Sequence, residues 1–154
     1  MPSVLFVCTG NLHRSPIAEA IFRKMIIDKG LSDTWLVSSA GTWAENGLPP
    51  TVEVTLVLGE LGIRLENHQS RRITREIFDK NDLILVMSKN HKEALSAEFP
   101  EGAGKVFLLS EMVGKHVDIE DPIGGTLDDF RKTVVEIKDY LSNGFDAILQ
   151  RATM

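Results

Sequence analysis

Cysteine occurs once in the 154 residues, as Cys8, so no internal disulfide can form and any thiol chemistry rests on that side chain. Blocks of lysine or arginine are missing too. With 17 basic residues against 22 acidic ones the formal charge is −5, which argues against nucleic acid or an anionic membrane surface as the main partner. No stretch of about 18 apolar residues is available to span a bilayer, and the amino terminus lacks the charged and apolar regions of a signal peptide. The cytoplasm is the expected location, a reducing setting that suits a free thiol. The four histidines form no H-x-x-x-H or Cys/His spacing, so neither a metal site nor a cofactor is expected. Repeats, low-complexity tracts and interdomain linkers are absent as well.

What is present reads as one globular domain over residues 1–154, with 43% hydrophobic and 25% charged residues and length enough for a proper core. Apolar, β-rich runs at 4–7, 35–37, 83–87 and 106–108 alternate with segments of helical period. That order predicts βαβ units: an α/β, three-layer fold with a four-stranded parallel sheet flanked by helices. A first helix is predicted over 16–29, with Ala18, Ile21, Phe22, Met25 and Ile26 on one face and Gly30 as its stop. Others are expected over 50–61 and 90–98. The last begins at Thr126, whose hydroxyl can cap it with Asp129 three residues on. Its Leu127, Phe130, Val134, Ile137 and Leu141 form a stripe to be buried. The long irregular stretches 40–49 and 114–125 are expected at the carboxyl ends of the strands, where open α/β sheets bind ligands.

The densest chemistry lies at Cys8-Thr9-Gly10-Asn11-Leu12-His13-Arg14-Ser15-Pro16. A β-branched run stops at Cys8, a short loop follows, and a helix opens with Ser15 as its expected N-cap and Pro16 at its first position. Such a strand–loop–helix turn gathers backbone N–H groups and the positive end of a helix at one point, which makes an anion site. A helix N-terminus and a nearby arginine can lower a thiol's pKa from about 8.5 by several units. Arg14 supplies that charge, and its planar fork can hold two oxygens of a phosphoryl group while sulfur attacks phosphorus in line. The plainer alternative, a buried apolar thiol beside a surface arginine, leaves the glycine, the cap and the Asp121-Pro122 pair without a purpose.

The spacing C-x-x-x-x-x-R-S near the amino terminus, matched by Asp121-Pro122 near the far end, resembles the low-molecular-weight protein-tyrosine phosphatases, bacterial members included, over essentially the whole chain. The resemblance implies a phosphomonoesterase that acts on phosphorylated protein side chains through a phosphocysteine. Cys8 would be the nucleophile, Arg14 the phosphate holder, and Asp121 the acid that protonates the leaving group and then activates water. Asp118 and Glu120 are neighbouring alternatives, but neither precedes the proline of the family pattern. Ser15, besides capping, would donate toward the thiolate. Thr9, Gly10, Leu12 and His13 would line the anion site mainly through backbone N–H groups. Asn11 would shape the loop through Ser39, taken to follow the second strand, and through His68; His68 reads equally well as a surface histidine. Trp43 is either an aromatic wall for the substrate or a packing residue.

His13 stands where many relatives carry a second cysteine, so the usual reversible disulfide cannot form here. An imidazole turned away from the loop is the simpler expectation, a general base the bolder one. An arsenate reductase would need further cysteines, and a non-catalytic phosphate-binding module would have no use for an acid and a nucleophile together. The serious rival is a protein-arginine phosphatase of the same family. Gly124-Gly125 after Asp121-Pro122 resembles that branch, whereas the bulky Leu12 resembles the tyrosine enzymes. Leu12, nearer the reacting phosphorus, favours phosphotyrosine.

Overall fold

A computed structural model describes residues 1–65 and 67–154. In chain order the elements are β1 (Ser3–Cys8), α1 (Arg14–Asp28), β2 (Leu36–Gly41), α2 (Val52–Gly59), α3 (Arg75–Lys80), β3 (Leu83–Val86), α4 (Lys89–Glu98), β4 (Val106–Leu108), α5 (Leu127–Asn143) and α6 (Phe145–Ala152). The four strands form one parallel sheet in the order β2-β1-β3-β4. From β1 the chain runs out to β2 and then returns to β3 on the other side. The carboxyl end of β1 is therefore the switch point at which a doubly wound sheet opens a crevice.

Alternation along β1 divides the core between the two faces of the sheet. Val4, Phe6 and Cys8 face α1, α5 and α6, where Phe22 meets Phe6 edge to face at 5.7 Å. Leu5 and Val7 face the other layer, where Phe78 of α3 stacks on Phe99 at 4.5 Å. Both rings are buried, and truncating either Phe22 or Phe78 to alanine would cost about 3–5 kcal/mol. No helix among the described residues is long and apolar enough to cross a membrane.

Several boundaries differ from the sequence reading, each for a tertiary reason. β2 extends through Ser38, Ser39, Ala40 and Gly41, because these residues pair in register with Leu5, Phe6, Val7 and Cys8 of β1. Pairing overrides the poor strand preference of serine and glycine, and Ser39 lies inside the strand, not after it. Gly41 is needed there, since a Cβ would come within 2.4 Å of the Thr9 carbonyl oxygen. Helix α1 begins two residues earlier than predicted. Its N-cap is His13, and Ser15 sits within the first turn with its hydroxyl committed elsewhere. The short α3 and the terminal α6 lack a long enough period to be seen in advance. Gly144 separates α5 from α6, packed so closely that a Cβ would lie 2.7 Å from Met112 Cβ.

Candidate active site

Cys8 ends β1 with its sulfur buried, 2.9 Å from Ser15 Oγ. The loop from Thr9 to His13 turns back through Asn11, which adopts a left-handed conformation at φ 57°. Asparagine tolerates that region better than most residues, and its side chain is fully used. Nδ2 donates to Ser15 Oγ and to Ser39 Oγ, both at 2.9 Å, while Oδ1 accepts from Arg71 N–H at 3.0 Å. An amide NH2 only donates, so both hydroxyls are acceptors toward Asn11 and must send their own protons elsewhere. Ser39 donates to Glu19 Oε1 at 2.5 Å. Ser15 has the Cys8 sulfur at 2.9 Å and the Ala40 carbonyl at 3.5 Å; once Cys8 is a thiolate the sulfur can only accept, and this nearer contact takes the hydroxyl proton. The result is a polar chain from a buried carboxylate to the Cys8 sulfur.

His68 is also brought to the loop, but its Nε2–H donates to the Asn11 carbonyl at 3.1 Å and not to the side chain. Arg14 is 6% exposed. Its Nη1 donates to the Ile119 carbonyl at 2.8 Å, and its Nε–H is buried with no hydrogen-bond partner among the described residues. A buried guanidinium donor without a partner is costly unless an acceptor arrives, and an oxyanion is the acceptor that a guanidinium fork suits.

Both long irregular stretches reach this end of the sheet. Thr42 and Trp43 donate their N–H groups to the carbonyls of Cys8 and Thr9, at 2.9 and 3.0 Å. Trp43 is 72% exposed and outside the core, and the Arg72 guanidinium lies 4.3 Å from its ring centroid. On the opposite side Ile119 N–H bonds the Met87 carbonyl at 2.8 Å, which carries Asp121 to within 3.7 Å of Arg14 (Oδ2 to Nη2). The hydrogen bond from His13, followed by the Arg14 charge, holds the Asp121 carboxyl below its usual ionisation range despite partial burial. Asp118 instead caps α4 by accepting Lys89 N–H at 2.8 Å, and Glu120 is exposed. The imidazole of His13 meets the candidate acid: Nδ1 is 3.1 Å from Asp121 Oδ1.

His91 escaped the sequence reading. Buried in the first turn of α4, its Nδ1 accepts Ser88 N–H at 3.1 Å, so the ring proton is on Nε2, which donates to Thr9 Oγ1 at 2.9 Å. Burial, reinforced by the Arg14 charge, depresses its pKa to about 4, and the ring is neutral. Ser88-x-x-His91 directly after the apolar run of β3 was the available signal, a capping pattern with histidine in place of glutamate. Arg71 closes the His68-Gln69-Ser70-Arg71 segment that resembles the family pattern, but its role had no signal there; Glu19 gave none, because its partner Ser39 lies in a distant segment.

A profile of the low-molecular-weight phosphotyrosine protein phosphatases matches residues 3–153. The protein-arginine-phosphatase of Bacillus subtilis is 39% identical over 139 residues, which are 90% of this chain and 91% of the relative. The low-molecular-weight phosphotyrosine protein phosphatase of Rattus norvegicus is 41% identical over 133 residues, 83% of this chain and 84% of the relative. Among solved structures, the YwlE arginine phosphatase, as a Cys-to-Ser mutant with a phosphorylated active site serine, superposes with a TM-score of 0.89 at 36% identity, covering 96% of this chain and 95% of that one. With its family pattern spanning nearly the whole sequence and its fold matched, this chain belongs to the low-molecular-weight phosphotyrosine protein phosphatase family and is a cysteine-based phosphatase.

Proposed function

We propose that this protein hydrolyses phosphorylated protein side chains through a phosphocysteine at Cys8. The observation that carries the reading is the Cys8 sulfur 2.9 Å from the Ser15 hydroxyl, beside a buried Arg14 whose Nε–H lacks a partner among the described residues. Arg14 and the N–H groups of Thr9, Gly10, Leu12 and His13 hold the oxygens of the phosphoryl group, and phosphate or sulfate-like anions occupy the same loop. Thiolate sulfur attacks phosphorus, and Asp121 gives its proton to the departing atom. A water then attacks the phosphocysteine, Asp121 takes the proton, and the Ser15 hydroxyl steadies the sulfur as it leaves. The phosphoserine in the solved relative supports a covalent intermediate at the corresponding position.

For the side chain attacked, phosphoarginine is the better supported reading. The arginine phosphatase matches more of both chains than the rat tyrosine enzyme does. The rim agrees: Gly124 has φ 76°, and a Cβ on Gly125 would stand 2.8 Å from the Pro122 carbonyl oxygen, so an aromatic pair to flank a phosphotyrosine ring has no place there. Leu12, half-buried in the loop, favours phosphotyrosine and is the reason for the second reading. Matched phosphotyrosine and phosphoarginine peptides, with kcat/KM measured on each, decide between them. Covalent labelling of Cys8 by either peptide tests the shared mechanism, and its absence with both would overturn it.

A further inference from the structure

The two oxygens of Asp121 are not equivalent. Oδ1 accepts Ile123 N–H at 3.1 Å and lies 3.1 Å from His13 Nδ1, while Oδ2 faces Arg14 Nη2 at 3.7 Å. A backbone N–H can only donate, and an oxygen that receives two N–H bonds has both lone pairs engaged. With Nδ1–H as the donor from His13, Oδ1 has no lone pair left for a proton, and a protonated Asp121 carries it on Oδ2, the oxygen facing Arg14.

His13 is itself held firmly. Its side chain is 11% exposed, its ring meets Phe130 of α5 edge to face at 5.3 Å, and its carbonyl accepts Ile17 N–H at 3.1 Å in the first turn of α1. Phe130 is part of the core. The segment beyond Asp121 has little comparable anchorage, with Ile123 70% exposed and two glycines after it.

We propose that His13 is the positioning residue for the acid, its Nδ1–H holding Asp121 Oδ1 so that the proton-bearing Oδ2 faces the leaving atom. The inference rests on the mechanism under Proposed function. In the first half-reaction the Oδ2–H bond breaks, its electron pair stays on the carboxylate, and the proton goes to the leaving atom. In the second, Oδ2 takes a proton from the attacking water. His13 keeps its own proton throughout. A cysteine at position 13 would offer only a weak S–H donor.

The test compares kcat on aryl phosphates with poor and with activated leaving groups. His13→Ala is expected to lose roughly tenfold on the poor leaving group, a part of the hundredfold or more that a general acid supplies. The loss on the activated substrate is expected to be smaller, with KM and inhibition by inorganic phosphate moving less than about twofold. His13→Asn, whose amide N–H occupies the place of Nδ1–H, should recover most of the loss. His13→Gln, with its amide one bond further out, should not, and it replaces His13→Ala if that variant fails to fold. Adding His13→Ala to Asp121→Asn should cost nothing more. Equal losses on both substrates, or an Asn variant no better than Gln, overturn the proposal. Asp121→Asn in the same assay separates the two levels. If it shows no leaving-group dependence, the acid assignment itself fails and this inference with it; if it does and the His13 variants do not, only the role of His13 falls.

Discussion

Ser15 Oγ lies 2.9 Å from the Cys8 sulfur and equally 2.9 Å from Asn11 Nδ2, so a single hydroxyl couples the thiol to the residue that shapes its loop. The amide can only give a proton, so once Cys8 is ionised the hydroxyl proton is free to turn to sulfur. Because this polar chain and the anion-holding groups are separate, the protein can lose its chemistry without losing its site.

Cys8→Ser should abolish turnover and still bind phosphate, since Arg14 and the loop backbone do not depend on sulfur. Arg14→Lys should lower kcat/KM by about a hundredfold or more, because a point charge cannot replace the guanidinium fork. Steady-state rates and phosphate titration by calorimetry check both, and turnover by Cys8→Ser near the parent rate would remove the nucleophile assignment.

Asn11→Ala removes three hydrogen bonds, buried ones to Ser15 and Ser39 and a partly buried one from Arg71, and places alanine at φ 57°. A loss of about 2–4 kcal/mol is expected in urea unfolding, part of it from backbone strain and part from polar groups left without partners. Activity should fall further than that of a merely destabilised protein, because Ser15 is freed to turn its proton toward Ala40.

His91 makes stability depend on pH. Its pKa is about 4 in the folded protein against 6.5 ordinarily, with burial as the main cause and the Arg14 charge second. As pH falls below 6.5 the unfolded chain takes up a proton that the folded protein refuses until about 4. The contribution is whole above 6.5 and is lost on the way down, by on the order of 3 kcal/mol at its end. Urea unfolding of the parent and of His91→Gln at pH 7 and pH 4.5 checks it; the parent should lose more stability than the variant, and equal losses would refute the assignment.

Peroxide should inactivate the protein without forming an internal disulfide, since Cys8 is the only cysteine and His13 stands where a resolving thiol would. Oxidation is expected to continue to sulfinic acid unless an external thiol intervenes. Intact-mass spectrometry checks this, and a lasting monomeric form two hydrogens lighter would contradict it.

The sequence by itself determined the parallel sheet, the strand–loop–helix turn at Cys8 and the capped start of α5 at Thr126. These are local: hydrophobic period, a capping threonine with its partner, and short spacing all act within a few residues. It also singled out Ser39, His68 and Asp121, but through a resemblance to known proteins and not through any physics of the chain. Tertiary structure decided the rest. Pairing with β1 drew Ser38-Ser39-Ala40-Gly41 into a strand that their own preferences disfavour. Ser15 became a partner of sulfur because Asn11, held in turn by Arg71 N–H, aims its amide at that hydroxyl. His13 met Asp121 across 108 positions of chain, and His91 met Thr9 across 82. Such contacts arise only when the sheet order brings the carboxyl ends of β1 and β3 together, and no window of sequence contains both partners.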